Sequence, residues 1–228
     1  MLIAEFKAEL LKKKELTDDT ILFTFKIPSS FSFQAGQFIM VRVEKDIEYK
    51  WRAYSILNPP SQKEYLELCI KIVPGGFASE FFKQFDVGTK VSMKGPIGGL
   101  LFDSSSEEHW FICAGTGMAP FYSMILENIS KLPPKKFKLI MGTRHQNSIL
   151  FHQEFLNLAK KHSSFEYVPT LSREKWDGKM GHVQEHITGD LKGKTFYICG
   201  LKELVLETKE LLLQNNVPES RIRVERYN

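Results

Sequence analysis

Arg52-Ala53-Tyr54-Ser55 lies inside a strand-like apolar run, residues 51–57. On a β-strand alternate residues share a face, so Arg52 and Tyr54 point one way, while Ser55 turns its hydroxyl the other way or along the backbone. A planar cation, an aromatic face and a short hydroxyl are what a flavin dinucleotide needs. The guanidinium can grip a pyrophosphate bidentately, the phenol can lie on the isoalloxazine, and the hydroxyl can reach a ring nitrogen. Taken alone, the four residues read first as an ordinary exposed strand. The rest of the chain decides between the two.

Around this stretch the first half of the chain reads as β. Ile21, Phe23, Phe25 and Ile27 alternate with Leu22, Thr24 and Lys26 at the period of a half-buried strand. Further strand-like runs are residues 38–43, 51–57, 65–73 and 90–94, separated by Ala35-Gly36, Asn58-Pro59-Pro60 and Pro74-Gly75-Gly76. This spacing predicts an antiparallel barrel, interrupted by one short helix from about Phe77 to Phe85. The second half alternates compact apolar strands (110–114, 137–141, 165–168, 195–199, 222–224) with helical stretches through Ile129 and at 149–161 and 201–214. Such alternation predicts a parallel sheet with helices on both faces. Ser104-Ser105-Ser106-Glu107-Glu108 is a plausible linker, giving a β-barrel domain over 1–104 and an α/β domain over 105–228.

Composition sets the class. Of the 228 residues, 43% are hydrophobic and 25% charged, as in ordinary globular proteins. No apolar run approaches the roughly 20 residues of a membrane span, and Met1-Leu2-Ile3-Ala4-Glu5 has no signal-peptide pattern. The net charge of +4, with its excess in the second half, fits a phosphate-bearing cofactor or an acidic protein partner and falls far below a nucleic-acid footprint. Lys12-Lys13-Lys14 reads as a solvated strand end. Cys69, Cys113 and Cys199 are odd in number and lack metal-ligand spacing, which predicts no disulfide framework, no metal and a reduced, cytoplasmic setting. Three thiolates are also too few for a four-cysteine iron–sulfur cluster.

Several turns can carry chemistry. Pro74-Gly75-Gly76-Phe77-Ala78-Ser79 precedes a helix, where glycines admit an anion to the backbone and free N–H groups favour it. Ser79 can add a donor or merely cap the helix. Gly115-Thr116-Gly117-Met118-Ala119-Pro120 joins a strand to a helix, the context in which a glycine turn gains meaning, with Pro120 suited to a first helical turn. A plain tight turn is the equal alternative. Cys199-Gly200 ends a strand near the same sheet edge, either as a core thiol or as a contact to a nicotinamide ring. Ser172-Arg173 follows another strand and can bind a 2′-phosphate or serve as ordinary loop. The six histidines show no metal spacing.

In order along the chain, Gly36-Gln37-Phe38, Arg52-x-Tyr54-Ser55, Gly76-x-x-Ser79, Gly95-Pro96-x-Gly98, Gly115-Thr116-Gly117-x-Ala119-Pro120, Ser172-Arg173, Cys199-Gly200-Leu201-Lys202 and Val224-Glu225-Arg226-Tyr227 resemble the ferredoxin–NADP reductase superfamily. The resemblance implies an FAD-binding Greek-key barrel and an NAD(P)-binding domain, with FMN the less expected flavin. It assigns Arg52, Gly75, Gly76 and Ser79 to the pyrophosphate and Tyr54 and Ser55 to the isoalloxazine. It gives Gly115, Thr116, Gly117 and Pro120 to the nicotinamide dinucleotide, together with Gly200 and Leu201. Cys199 and Glu225 would border the nicotinamide, and Tyr227 would cover the flavin. Asn228 follows Tyr227, whereas the plant-type pattern ends at the aromatic, and the resemblance puts His182 where that pattern has a Tyr. The implied chemistry is hydride transfer from nicotinamide to flavin N5, with Ser55, Cys199, Glu225 and Tyr227 at the reacting centre. Ser172-Arg173 favours NADPH over NADH, because an acidic residue at the serine position would repel a phosphate. The implied acceptor is a separate carrier such as ferredoxin or flavodoxin. Free flavin or an oxygenase component is the alternative, and a non-catalytic regulatory subunit the third reading.

Overall fold

A period of two places Phe23 and Phe25 of β2 (Thr20–Lys26) fully inside, while Thr24 and Lys26 face outward. In the computed structural model, which describes residues 3–131 and 135–227, that strand lies in a six-stranded antiparallel sheet. Its other members are β1 (Ala4–Thr17), β3 (Phe38–Lys45), β4 (Glu48–Ser55), β5 (Tyr65–Lys71) and β6 (Lys90–Ile97), in the order β4-β3-β6-β1-β2-β5. The outer strands meet: Ile56, just past β4, bridges Leu68 of β5, and the Leu57 N–H donates to the Glu67 carbonyl at 2.9 Å. Closure removes the open edges. The expected Greek-key barrel is therefore present.

β1 goes beyond the strands expected from sequence. It is 14 residues long, yet register shifts at Leu10/Lys12 and Glu15/Thr17 break its alternation, and residues 11–15 are exposed. Lys13, expected as part of a solvated strand end, is exposed and also donates from Nζ to the carbonyls of Lys83 and Phe85, each at 3.3 Å. These carbonyls lie at and just beyond the C-terminus of α1 (Phe77–Lys83), where a cation is favoured. The same helix sets Phe82 against Phe23 at 5.3 Å and holds the barrel core. Burying each such ring contributes roughly 1.5–3 kcal/mol.

The second sheet is wholly parallel. It runs β10-β9-β8-β7-β11-β12, with β7 (Glu108–Ala114), β8 (Lys136–Thr143), β9 (Phe165–Leu171), β10 (Lys179–Met180), β11 (Thr195–Leu201) and β12 (Ile222–Tyr227). The helices that follow its strands in chain order are α2 (Ala119–Asn128), α3 (His152–Lys161) and α4 (Lys202–Gln214). Phe155 of α3 meets Phe165 and Tyr167, whereas Val205 and Leu212 of α4 join Ile112 and Ile198. Strand alternation puts these contacts on opposite faces, as expected. β10 has only two residues and was not foreseen.

Contacts divide the described chain into two compact units. One holds the residues up to Leu101 together with Ala119–Glu127; the other holds Phe102–Met118 and the residues from Asn128 onward. Helix α2 thus clusters with the barrel. Its buried Ser123 hydroxyl donates to the Asn58 carbonyl at 2.8 Å, and Glu127 Oε2 accepts the Ser61 N–H at 3.0 Å. Gly36, at φ +97°, fits the same contact, since a Cβ there would overlap the Leu100 carbonyl oxygen and the Met124 methyl. Met1, Leu2 and Asn228, which entered the sequence reading, lie outside the described residues.

Beneath the amino ends of β7 and β11 sits a buried polar network. His109 is fully buried; its Nε2 donates to the Ser106 carbonyl at 3.1 Å, leaving Nδ1 to accept from the Tyr197 hydroxyl at 3.4 Å. Tyr197 Oη in turn accepts the Asp103 N–H at 2.9 Å. Burial, aided by the nearby Lys135 charge, lowers the His109 pKa to about 4.

Candidate functional site

In the barrel, Arg52 and Tyr54 of β4 pair across to Val41 and Ile39. Arg52 is exposed, with Nη1 donating to its neighbour's carbonyl at Trp51, 3.2 Å away. Tyr54 is half-buried and meets Phe82 edge-on at 5.4 Å. Burial pushes its hydroxyl pKa up, against the pull of the Arg52 charge, so the phenol is neutral at pH 7. Ser55 is buried. The expected row is thus an exposed guanidinium beside a braced ring.

The turn before α1 follows from its sequence. Pro74 and Gly75 fill the two central positions of a β-turn, with Gly75 at φ +71° and the Gly76 N–H donating to the Val73 carbonyl at 3.0 Å. That is the pattern of a type II turn. The Ser79 oxygen accepts the Val73 N–H at 2.8 Å. The capping reading offered by sequence does not hold, since no side chain caps α1; Ser79 instead staples the loop from inside the helix. Its proton still leaves it one bond to donate. A Cβ on Gly76 would press on the Ser79 oxygen and the Val73 carbonyl, both at 3.1 Å, so this tight turn depends on glycine.

In the second unit the glycine turn lies where the parallel sheet changes direction. β7 is flanked by β8 on one side and β11 on the other, which makes the carboxyl ends of β7 and β11 the place where open α/β sheets take ligands. Gly115 has φ +53°, and beyond its chain neighbours no protein atom lies within 4 Å of an ideal Cβ. Gly117 is wedged, since its Cβ would stand 2.5 Å from the Cys199 carbonyl oxygen. Thr116 is half-buried between them. Pro120 occupies the first turn of α2, as its missing N–H allows.

At the same edge Cys199 pairs with Glu225 and Leu201 with Tyr227 in register. Burial pushes the Cys199 thiol pKa up, the Glu225 charge adds to this, and a hydrogen bond to the Tyr227 hydroxyl opposes it. Cys199 is therefore a neutral thiol at pH 7, suited to packing against a ring rather than to attack. Cys113 sits opposite it on β7, equally buried, and both thiols are free. So Cys199, Glu225 and Tyr227 form one cluster with Gly117 beside it.

Ser172 and Arg173 lie farther along the edge, two strands from β7. The Ser172 N–H donates to the Thr143 carbonyl at 3.0 Å and the Arg173 N–H to the Arg144 carbonyl at 3.2 Å. These bonds set Arg144, exposed after β8, directly beside Arg173, exposed after β9. Glu174 ties the same two loops, accepting the Gln146 N–H at 2.8 Å with His145 Nδ1 at 3.5 Å. Arg144 escaped the sequence reading. Its only signal was its place just past an apolar strand, matching that of Arg173.

Residues 7–102 match the oxidoreductase FAD-binding domain model, and residues 111–210 the oxidoreductase NAD-binding domain model. Ferredoxin–NADP reductase B of Sorangium cellulosum is 30% identical over 213 residues, covering 87% of each chain. The chain belongs to the ferredoxin–NADP reductase superfamily. The reductase component DmpP of phenol 2-monooxygenase from a Pseudomonas species is 32% identical over 212 residues, which cover 89% of this chain and 60% of that protein. Against this and the phenol hydroxylase P5 protein of Acinetobacter pittii, the chain spans 60% and 66% of the relative's length. A ferredoxin–NADP+ reductase of Neisseria gonorrhoeae, solved with FAD and NADP, superposes with TM-score 0.86 at 22% identity, covering 97% of this chain and 98% of that one, which shows the shared fold.

Membership in the superfamily brings two nucleotide-binding domains, and the donor sets fit them. The barrel offers an exposed guanidinium, a braced phenol and a glycine turn whose Gly75 backbone is open to approach. The second domain offers an open positive-φ glycine at its sheet edge and two adjacent arginines. Among the described residues, no group of three His, Cys, Asp or Glu side chains could hold a metal ion, and no helix is long and apolar enough to cross a membrane.

Proposed function

We propose that this chain is an NAD(P)H-dependent flavoprotein reductase that passes electrons to a separate protein carrier. Bound FAD would supply the chemistry, accepting a hydride and giving electrons up singly. Residues 1–104 would hold the flavin, with Arg52, Gly75, Gly76 and Ser79 at the pyrophosphate and Tyr54 and Ser55 at the ring. Residues 105–228 would hold the nicotinamide cofactor through Gly115, Thr116, Gly117, Pro120, Gly200 and Leu201. Cys199 and Glu225 would line its ring, excluding water with a neutral thiol and fixing orientation with a carboxylate. Tyr227, held by the Cys199 thiol, would be the ring that gives way when the nicotinamide arrives.

The observation that carries this reading is the joint presence of both domain matches on one chain. The adjacency of Arg173 and Arg144 supports NADPH as the preferred donor, because two guanidiniums suit a 2′-phosphate. Ferredoxin or flavodoxin is the leading acceptor, in keeping with the Sorangium reductase that matches over most of both chains. An oxygenase component is the second reading, favoured by the likeness to DmpP and to the electron transfer component of anthranilate 1,2-dioxygenase of Acinetobacter baylyi. Three free cysteines fit a reducing, cytoplasmic setting.

Steady-state reduction of ferredoxin, flavodoxin, free FMN and an oxygenase component, each with NADPH and NADH, tests donor and acceptor together. Fast turnover of ferredoxin or flavodoxin with NADPH is expected. Turnover of free FMN alone would sink the carrier reading.

A further inference from the structure

The ligand-facing row on β4 extends past Arg52. Lys50, Arg52 and Tyr54 alternate on one face of the strand. Lys50 Nζ lies 4.6 Å from the ring centroid of Phe77, the first residue of α1. At the other end Tyr54 stands edge-on to Phe82 of the same helix. Both ends of the row are therefore braced on α1, with Arg52 between them. An aromatic face holds a cation without neutralising it, so the ammonium keeps its charge for a third group.

The order of the row matches the order of a ligand. Same-face side chains on a strand stand roughly 7 Å apart, and from Tyr54 outward the chemistry reads aromatic ring, guanidinium, ammonium. A flavin mononucleotide ends in one phosphate. A dinucleotide continues through a second phosphate into adenosine. Arg52 answers the first phosphate, and Lys50 stands one step farther out. Glu48, the next residue on this face, reverses the sign and ends the row.

We propose that Lys50 is a specificity-determining residue that selects flavin dinucleotide over mononucleotide by pairing with the phosphate on the adenosine side. The proposal rests on the flavin reading above. It assigns a role to a lysine outside the Arg-x-Tyr-Ser motif and gives Phe77 the task of holding it in place.

The test is flavin binding rather than turnover. The full chain, freed of flavin, is titrated with FAD and with FMN, following quenching of flavin fluorescence, as wild type, Lys50→Met, Lys50→Arg and Phe77→Leu. Lys50→Met should weaken FAD binding about tenfold and move FMN binding by less than about twofold. Lys50→Arg should restore most of the FAD affinity. Phe77→Leu should shift it in the same direction by a smaller factor. Equal losses for both flavins would reduce Lys50 to a general field effect and overturn the proposal. So would an unchanged FAD affinity in Lys50→Met, which would leave the lysine a packing role on Phe77. A wild-type chain that binds neither flavin would instead overturn the flavin reading, and this proposal with it.

Discussion

On β4 the groups proposed to meet a ligand are side chains, an exposed guanidinium and a phenol braced on Phe82. At the carboxyl edge of β7 and β11 they are chiefly backbone, a positive-φ glycine open to approach and another packed against the Cys199 carbonyl. A side-chain site is tolerant in shape and sensitive to charge. A backbone site is the reverse: its donors cannot be deleted, but a single methyl can displace them. The first arrangement suits a cofactor that stays bound, and the second one that must come and go. Four measurements can break or sharpen this contrast.

The largest expected effect is acid destabilisation confined to the second unit. His109 has its pKa lowered from 6.5 to about 4 by burial. Between these values the unfolded chain holds a proton that the native state does not, so stability falls as the pH drops through that window. The loss approaches about 3 kcal/mol near pH 4. Asp103, held down to about 2 chiefly by its bonds to Ser105 and then by Arg223, adds its own loss only at lower pH. Urea unfolding monitored between pH 7 and 4.5 should show this slope, and His109→Gln should flatten it. An unchanged slope in His109→Gln would place the acid sensitivity elsewhere.

Next comes Gly117→Ala. Its methyl would meet the Cys199 carbonyl at 2.5 Å, and such overpacking costs about 1–3 kcal/mol. Flavin content should stay at the wild-type level while kcat/KM for the nicotinamide donor falls by about 30-fold, the equivalent of about 2 kcal/mol. Loss of flavin along with turnover would contradict the separation of the two sites.

Arg52→Ala makes the mirror-image cut. Removing a charge-assisted phosphate contact of about 1.5–3 kcal/mol should weaken FAD binding by roughly 10- to 100-fold. Thermal unfolding of the flavin-free chain should hardly move, because this arginine is exposed. Retention of tightly bound FAD in the variant would show that the turn at Gly75-Gly76 carries the phosphate instead.

The smallest effect belongs to the loop arginines. Arg173→Ala should raise KM for NADPH by about tenfold and leave that for NADH almost unchanged. Arg144→Ala should do the same to a similar extent. Equal changes for both donors would refute a 2′-phosphate contact.

How much of this was readable beforehand depends on where the signal resides. The strands around Phe23, Ile112 and Ile198 were legible because burial on a regular pleat writes itself as periodicity or as compact apolar runs. The glycine turns were legible because positive φ selects for glycine at Gly36, Gly75 and Gly115. β1 was not, since its pairing survives two bulges and five exposed residues in a row that erase the pattern. Lys13 looked like solvated charge alone because its partners, the carbonyls of Lys83 and Phe85, lie some 70 residues away. Lys50 and Arg144 are ordinary surface cations until a ring or a neighbouring strand is placed beside them. The allegiance of α2 was hidden for the same reason, for nothing in Ala119–Asn128 announces that Ser123 answers Asn58.

That allegiance has a consequence for how the molecule is made. The barrel draws its last helix from Ala119–Glu127, so it is not one uninterrupted stretch of gene. On the ribosome all six of its strands emerge before the helix that covers Gly36 and Asn58. In between comes β7, the first strand of the other unit, whose own sheet is still unsynthesised. A fragment ended at residue 104 would stop at that half-made stage, with the carbonyl of Asn58 facing solvent instead of Ser123. A fragment carried through residue 127 would complete the barrel but hold an orphan strand, β7, looped out before its last helix.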